Sequence, residues 1–236
     1  MRILAIETAT PASSVALGVD DELLAMSFQV DRRGHVGFLV PAMEFCFKQT
    51  GWKPADIDAV VVDVGPGLFT GIRAGLATAQ GMAAATGAQL VGLTSLDALA
   101  FRAATGHRMI WPVVDMRREE VAVAAYRPVP GGVMKEGAPE VVSPAGFAGL
   151  LDATDSDILV VGDHQALPDG TLRGLRRVKT GRPRWPSADV LLELAAGRLA
   201  RGEPAAPDEV RPLYLREPDV VINWKDFREE AAWKQG

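Results

Sequence analysis

Residues 57–76 read IDAVVVDVGPGLFTGIRAGL, and this stretch decides the fold. Its first eight residues form a nearly continuous β-branched run, which is typical of a strand buried on both faces of a sheet. Gly65-Pro66-Gly67 then predicts a tight turn, and a long helix is expected to follow as far as about Gly87. The stretch therefore predicts a strand, a turn and a helix of an α/β protein.

Within the predicted helix, Gly71, Gly75 and Ala79 recur at intervals of four and share one face, with Gly81 just beyond. Interior glycines each cost a helix up to about 1 kcal/mol relative to alanine, so a cluster of them indicates a packing or binding reason. A face without side chains lets another helix approach closely. Two interpretations stay open, namely docking of a partner protein and packing against the chain's own sheet or its predicted helix at 36–50.

Upstream of this unit, the chain opens with strands rather than with alternating strands and helices. Residues 2–6 and 13–19 predict a hairpin, and residues 23–30 predict a third strand. From residue 36 to 50 apolar residues recur at three and four, which predicts a helix that Gly51 ends. Three consecutive strands argue against a doubly wound fold.

A first lobe is expected to span residues 1–104. A short apolar segment at 91–93 predicts a buried strand. Thr94 stands three residues before Asp97, a spacing typical of a helix start. The helix predicted from there runs through Ala104.

A second lobe is expected to span residues 105–236, because the opening pattern recurs with little residue identity. A strand at 109–114, Asp115, a polar turn and a strand at 121–126 echo the opening hairpin. Further along, the sequence predicts a buried strand at 158–161 and an apolar helix at 188–199. A proline-rich exit then runs through 212, and a terminal helix is expected from 224 onward, which would return to the first lobe.

Composition predicts a packed globular protein of a reducing compartment. Of the 236 residues, 48% are hydrophobic, which is enough apolar surface to offset chain entropy. The one cysteine, Cys46, excludes an intramolecular disulfide. The opening segment reaches Glu7 without the apolar core of a signal peptide, and no apolar run reaches membrane-spanning length, so we expect a cytoplasmic location. A net charge of −5 restricts any direct RNA contact to a local patch.

Five segments spread over nearly the whole chain carry a family resemblance. The two strongest are ILAIETAT with SVAL and GPGLFTGIRAGL, at residues 3–10, 14–17 and 65–76. The weaker ones are TSLDALA, VDMR with Glu119 and Val121, and PLYLR, at residues 94–100, 114–117 and 212–216. In this order they resemble the TsaB family, formerly called YeaZ. Leu68 is a departure, because members of that family commonly carry serine at this position.

The resemblance implies a two-lobed fold like those of actin, Hsp70 and sugar kinases, built from ribonuclease-H-like repeats. It also implies a non-catalytic scaffold subunit for threonylcarbamoyl transfer to tRNA. Such a subunit pairs with the catalytic TsaD protein and with the ATPase TsaE, and a homodimer is expected when the partner is absent. No catalytic residue, metal or cofactor is then expected in this chain alone, and a nucleotide shared at the partner interface is left open.

The resemblance places the partner on the first lobe, at the two predicted helices around 36–47 and 71–82. Replacing Gly75 by a bulky residue is then expected to separate the subunits while the lobe stays folded. The residues assigned to this interface are Val36, Leu39, Val40, Met43, Phe47, Leu68, Phe69, Gly71, Gly75, Ala79 and Met82.

The turns that would bind a nucleotide are poor in glycine. Actin-like ATPases hold phosphates with glycine-containing turns after an acidic residue, because only glycine lets backbone N–H groups approach the anion. The turns after Glu7 and Asp115 contain no glycine, and Pro11 removes a donor. Weak nucleotide binding is therefore predicted, and an actin-like small-molecule kinase or ATPase is the alternative function. Four hydroxyls in the first turn are expected to satisfy local backbone instead: Thr8, Thr10, Ser13 and Ser14.

Histidine spacing argues against a metallopeptidase. The related catalytic subunit binds a metal through two histidines at a four-residue interval on the helix after the glycine motif. The corresponding helix here, at 95–104, has no histidine, and His35, His107 and His164 lie far apart in sequence. His35 precedes a predicted helix and His164 follows a predicted strand, and these two are interpreted as surface or capping residues.

One basic stretch with a neighbouring aromatic residue, Trp185, is a candidate RNA contact, because clustered cations can follow a phosphate backbone. The alternative is a solvated loop between a strand and a helix. The basic residues are Arg173, Arg176, Arg177, Lys179, Arg182 and Arg184.

Overall fold

The structure is a computed structural model and describes residues 1–31, 34–202 and 210–215. Its strands are β1 (Arg2–Glu7), β2 (Ala12–Val19), β3 (Glu22–Val30), β4 (Ala59–Asp63), β5 (Gln89–Leu93), β6 (Met109–Asp115), β7 (Val121–Val123), β8 (Tyr126–Val129), β9 (Gly132–Lys135), β10 (Glu140–Val142), β11 (Ile158–Gly162) and β12 (Val178–Thr180). Its helices are α1 (His35–Thr50), α2 (Phe69–Thr86), α3 (Ser95–Ala103), α4 (Pro144–Ala153) and α5 (Ala188–Ala200).

The first sheet has the strand order β3-β2-β1-β4-β5. The first three strands form an antiparallel meander, which confirms the predicted hairpin and third strand. β1, β4 and β5 run parallel, with Ile6 beside Val62. Since the carboxyl ends of parallel strands lie at one edge of a sheet, this register places Glu7 next to Asp63.

The second sheet repeats this design in the order β10-β7-β6-β11-β12. β6 and β7 are antiparallel, whereas β6, β11 and β12 are parallel. The single strand predicted at 121–126 is wrong, because β7 ends at Val123 and β8 begins at Tyr126. The two short strands pair with opposite ends of β6, which requires the break between them.

Helices cover both faces of the first sheet. α1 and α2 pack on one face, where Leu39 and Leu76 join the buried side chains of β1 and β4. α5 packs on the other face through Leu191 and Ala195. A boundary at residue 104 therefore lies between the two sheets but leaves α5 on the first lobe rather than the second.

α3 lies between the two lobes. Its Leu96 and Leu99 pack against Ile110 of the second sheet, while α4 covers the opposite face of that sheet. Asp97 of α3 accepts a hydrogen bond from the Tyr126 hydroxyl at 2.8 Å and forms an ion pair with Lys135 on β9 at 2.9 Å. These contacts link the first lobe to the β8–β9 hairpin.

Capping explains one confirmed helix and one that the sequence prediction missed. The Thr94 hydroxyl accepts from the Asp97 N–H at 3.0 Å, as the capping spacing predicts. α4 was missed, although Ser143 caps it by accepting from Gly146 N–H at 3.1 Å and Pro144 occupies its first position. Ser143 followed by Pro144 was the sequence signal from which the start of α4 could have been predicted.

Several sequence predictions lie outside the described residues. They are the helix from 224 onward, its return to the first lobe, and Arg216 of the PLYLR segment. In the described part of the chain, every helix is too short or too polar to cross a membrane.

Candidate functional site

A narrow cleft separates the lobes where the carboxyl ends of the parallel strands of both sheets meet. Its cavity has a volume of about 10 Å³, which is room for about one water molecule. The cleft must therefore open before a larger molecule enters. It is lined by Ala9, Thr10, Pro11, Gly67, Leu68, Leu99, Val113, Val114, Asp115, Arg117, Asp163, Arg184, Trp185 and Pro186.

Three backbone donors in the turns of this cleft already have partners. In the first turn, the N–H groups of Ala9 and Thr10 donate to Oε1 of Glu7, at 2.9 and 3.3 Å. In the second turn, Arg117 N–H donates to Asp115 Oδ1 at 2.8 Å. A phosphate would have to displace these carboxylates, because such donors are what an anion needs.

The hydroxyls of the first turn also serve the fold. Thr8 Oγ1 donates to the Gly71 carbonyl at 2.8 Å, and Ser14 Oγ accepts from Ala188 N–H at 2.9 Å at the start of α5. The Ser13 hydroxyl lies 3.1 Å from His35 Nδ1. These three hydroxyls therefore hold helices against the first sheet instead of satisfying local backbone, whereas the Thr10 hydroxyl lies 3.4 Å from Glu7 Oε1.

Glu7 and Asp63 form a buried pair of carboxyl groups beneath the cleft, with no exposed surface. Asp63 Oδ1 accepts from Gly65 N–H at 2.7 Å. Ser95 Oγ lies 2.8 Å from Asp63 Oδ2 and 2.9 Å from the Pro66 carbonyl. The Ser95 hydroxyl has one proton and can donate to only one of these acceptors. Both contacts are hydrogen bonds if Asp63 is protonated, so that Asp63 donates to Ser95 and Ser95 donates to the Pro66 carbonyl.

Burial raises the pKa of both carboxyl groups. The pKa of Glu7 lies well above its usual range because the side chain is desolvated and Asp63 is close. Burial raises the pKa of Asp63 to about 7, against the opposing effect of its hydrogen bonds with Gly65 and Ser95. Glu7 Oε2 has no hydrogen-bond partner. The pair therefore retains proton at pH values where exposed carboxyl groups are ionised.

This pair predicts that stability falls as the pH rises. The folded state holds a proton on Asp63 up to about pH 7, whereas the unfolded chain releases it near pH 4, so folding opposes deprotonation between these values. Asp63→Asn can keep the bonds to Gly65 and Ser95 without a titrating group. We expect the free energy of unfolding of the variant, relative to that of the wild type, to rise by up to about 1.4 kcal/mol per pH unit over this window.

Urea unfolding of both proteins at pH 5, 6, 7 and 8 measures this difference. Titrating groups remote from Asp63 cancel in the comparison, because both proteins contain them in the same surroundings. Glu7 loses the part of its pKa shift that Asp63 causes, and this acts in the same direction as the loss of the Asp63 carboxyl group. A difference in unfolding free energy that stays constant with pH would show that Asp63 is already ionised at pH 5.

The residues assigned to the partner interface differ in their exposure to solvent. Val40 and Phe69 are exposed, by 60% and 42%. Half-buried members are Met43, Phe47, Leu68 and Met82. Buried members are Leu39, Gly71, Gly75 and Ala79, while the side chain of Val36 lies outside the described part.

The glycine face of α2 packs against the chain's own first strand and turn. A Cβ at Gly71 would lie 2.0 Å from the Thr8 carbonyl oxygen, and one at Gly75 would lie 2.4 Å from Thr8 Oγ1. This contradicts the expectation that a bulky residue at Gly75 leaves the lobe folded. Of the two interpretations of these glycines, packing against the chain's own sheet describes the structure.

A different face of α2 is open to solvent. Phe69, Arg73, Ala77 and Gly81 recur at intervals of four and are all exposed; we call them the α2 stripe. A Cβ at Gly81 would have no neighbour within 4 Å. The stripe therefore presents one large aromatic residue, one cation and two small residues on a single helical face.

An aromatic cluster forms one end of the α2 stripe. The Arg73 guanidinium lies 3.7 Å from the centre of the Phe69 ring, and its Nε donates to the Tyr214 hydroxyl at 2.9 Å. The Phe69 and Tyr214 rings stack with centres 5.3 Å apart. Arg73 and Tyr214 were not predicted as interface residues, although both lie in segments that carry the family resemblance.

The three histidines differ in their surroundings. Among the described residues there is no group of three or more histidine, cysteine or acidic side chains arranged to hold a metal ion. His35 stands at the start of α1, as predicted, but is buried rather than at the surface, and burial lowers its pKa. His107 is exposed and His164 is half-buried.

Both the sequence and the fold of this chain are similar to those of known proteins. The family model for TsaD, described as tRNA N6-adenosine threonylcarbamoyltransferase, matches residues 24–159. The tRNA threonylcarbamoyladenosine biosynthesis protein TsaB of Escherichia coli K12 is 32% identical over 230 residues, which is 95% of this chain and 97% of the relative.

Two solved structures resemble the fold. An uncharacterized Pseudomonas aeruginosa protein with similarity to peptidase YEAZ has a TM-score of 0.77 and 28% identity, over 91% of this chain and 99% of that one. A Listeria monocytogenes protein assigned as an N-acetylmannosamine kinase has a TM-score of 0.52 and 11% identity, over 86% and 100% of the chains, and shows the fold alone. With the two repeated sheets, these likenesses confirm the expected actin-like, sugar-kinase-like fold class.

Proposed function

Since the chain belongs to the TsaB family and takes part in tRNA threonylcarbamoyladenosine biosynthesis, we propose that it is a non-catalytic scaffold that binds and activates a TsaD-type catalytic subunit. The reaction served is threonylcarbamoyl transfer to the adenosine adjacent to the tRNA anticodon. The observation that carries the proposal is the α2 stripe, an exposed helical face with the chemistry of a protein interface.

The composition of the stripe supports docking of another helix. Ala77 and Gly81 let a partner backbone approach closely, because neither has a side chain that would hold it away. Phe69, Arg73 and Tyr214 are of the residue types that dominate binding energy at protein interfaces. Val40 is a further exposed apolar side chain on α1, which packs on the same face of the first sheet as α2.

The state of the cleft supports a role without catalysis by this chain alone. A nucleotide site needs some hundreds of Å³, whereas the cleft has room for about one water molecule. The N–H groups of Ala9 and Thr10 donate to Glu7, so a phosphate would have to displace that carboxylate to reach either donor. These features disfavour the kinase or ATPase alternative.

The match to the TsaD family model supports pairing between related subunits. Two chains of one fold can use equivalent helices against each other, and a surface that fits a relative can also fit a second copy. We therefore extend the proposal to a homodimer in the absence of the catalytic subunit. A TsaE-type ATPase is the further partner of the assembled pair, and the interface is where a shared nucleotide would lie.

Reconstitution tests the scaffold. Threonylcarbamoyl transfer to tRNA is measured with the cognate TsaD-type subunit, with and without this chain, and complex formation is followed by size-exclusion chromatography with light scattering. We expect a stable heteromeric complex and transfer that depends on it. Absence of both complex and stimulation, together with micromolar binding of ATP by this chain, would establish the kinase alternative instead.

A further inference from the structure

One segment of this acidic chain carries only positive charge. Residues 170–188 contain six of the 25 Lys and Arg residues and none of the 30 Asp and Glu residues. Such a run in a chain of net charge −5 produces a local positive field while the rest of the surface stays acidic on average. The partner that fits this field is a polyanion.

The fold places these cations along one rim of the second lobe. β12 lies at the end of the strand order and pairs with β11. Arg173 and Arg176 precede β12, Lys179 lies in it, and Arg182 and Arg184 follow it. With Arg177 they are all exposed, so we call residues 173–184 the basic edge.

Most cations of the basic edge are free to bind a ligand. Arg177 forms an ion pair with Asp155, and Arg184 forms one with Asp163 at 3.0 Å. Within the described ranges, the remaining side chains make neither a hydrogen bond nor an ion pair. They are Arg173, Arg176, Lys179 and Arg182.

The basic edge ends at the cleft, close to a residue assigned to the partner interface. Arg184 and Trp185 line the cleft together with Leu68, which precedes α2. The Arg184 guanidinium lies 4.5 Å from the centre of the Trp185 ring. The cations therefore extend from the outer rim of the second lobe to the start of the helix that carries the α2 stripe.

We propose that the basic edge binds the phosphate backbone of tRNA in the assembled complex, an inference that rests on the proposed scaffold function. Unpaired Lys and Arg side chains on an exposed rim neutralise phosphates without reading bases. A half-buried tryptophan beside an arginine offers a surface on which a base can stack. An acidic protein surface is the competing ligand, and the test separates the two.

A charge-reversal pair tests the proposal in the complex of full-length chains. The variant is R176E/K179E, and the matched control is K48E/K53E, which reverses two exposed lysines on the first lobe. Complex formation is checked first by light scattering, and the Kd for fluorescently labelled tRNA is then measured by anisotropy at several salt concentrations. We expect R176E/K179E to weaken tRNA binding at least about tenfold and to lower the salt slope by about 1.5, since each phosphate contact contributes roughly 0.7 to 0.9.

Each outcome has a distinct meaning. If wild-type chains form no complex, the scaffold function itself is refuted. If the complex forms and R176E/K179E binds tRNA within twofold of wild type, the scaffold stands and the tRNA contact is refuted. If R176E/K179E instead fails to join the complex while K48E/K53E joins, the basic edge is a protein interface and the proposal is overturned.

Discussion

A Gly71→Ala variant will lose about 3 kcal/mol or more of its free energy of unfolding, whereas Gly81→Ala on the same helix will lose none. At Gly71 the new methyl group would lie 2.0 Å from the backbone oxygen of Thr8 and 2.7 Å from His35 Cδ2. Backbone cannot move aside as a flexible side chain can, so α2 must shift away from the first sheet. Overpacking of this kind costs about 1 to 3 kcal/mol or more.

Gly81 is the matched control position, because a Cβ there has no neighbour within 4 Å. Alanine is also the better helix former by roughly 0.5–1 kcal/mol, so Gly81→Ala is expected to stabilise the chain slightly. Urea unfolding of the two variants and the wild type at one pH gives both values. Equal stability of the two variants would mean that the face of Gly71 is not packed against the Thr8 turn.

A Phe69→Asp variant will bind the TsaD-type subunit at least about 30-fold more weakly than the wild type while it remains folded. Loss of an aromatic side chain at the centre of an interface typically costs 2 kcal/mol or more, which corresponds to about 30-fold in Kd. Phe69 also holds the Arg73 guanidinium over its ring, so its removal loosens the whole cluster. The fold tolerates the change, because Phe69 is exposed at the first position of α2. An acidic side chain at that position interacts favourably with the positive end of the helix dipole.

Met134→Asp is the matched control for this experiment. Met134 lies on β9 in the second lobe and is 43% exposed, close to the 42% of Phe69. Both variants therefore place a carboxylate where an exposed apolar side chain stood, on different faces of the molecule. Isothermal titration with the catalytic subunit measures both Kd values. If Met134→Asp weakened binding of the catalytic subunit and Phe69→Asp did not, the docking face would lie on the second lobe.

Local patterns in the sequence were sufficient for the first sheet and its helices. Apolar runs predicted the opening meander, a β-branched run predicted β4, and the Thr94–Asp97 spacing predicted the start of α3. The second lobe was predicted less well. Its strands β7 to β10 have three or four residues each, too few for a periodic pattern to emerge from the sequence.

The candidate sites depended more on the tertiary structure than the fold did. Parallel pairing of β1 with β4 placed Glu7 beside Asp63, although 56 positions separate them. Arg73 and Tyr214 are 141 positions apart and share a hydrogen bond. No local pattern reports such neighbours, because each strand or helix is consistent with many partners until the chain is packed.

By itself, the sequence determined the strand, turn and helix around Gly65–Gly67, the family, and a cluster of small residues on α2. These features follow from residue type and spacing, which act over a few positions. Only the tertiary structure decided which way each face of α2 points. Gly71 and Gly75 face inward because the Thr8 turn occupies the space that larger side chains would need, and this leaves the stripe from Phe69 to Gly81 exposed.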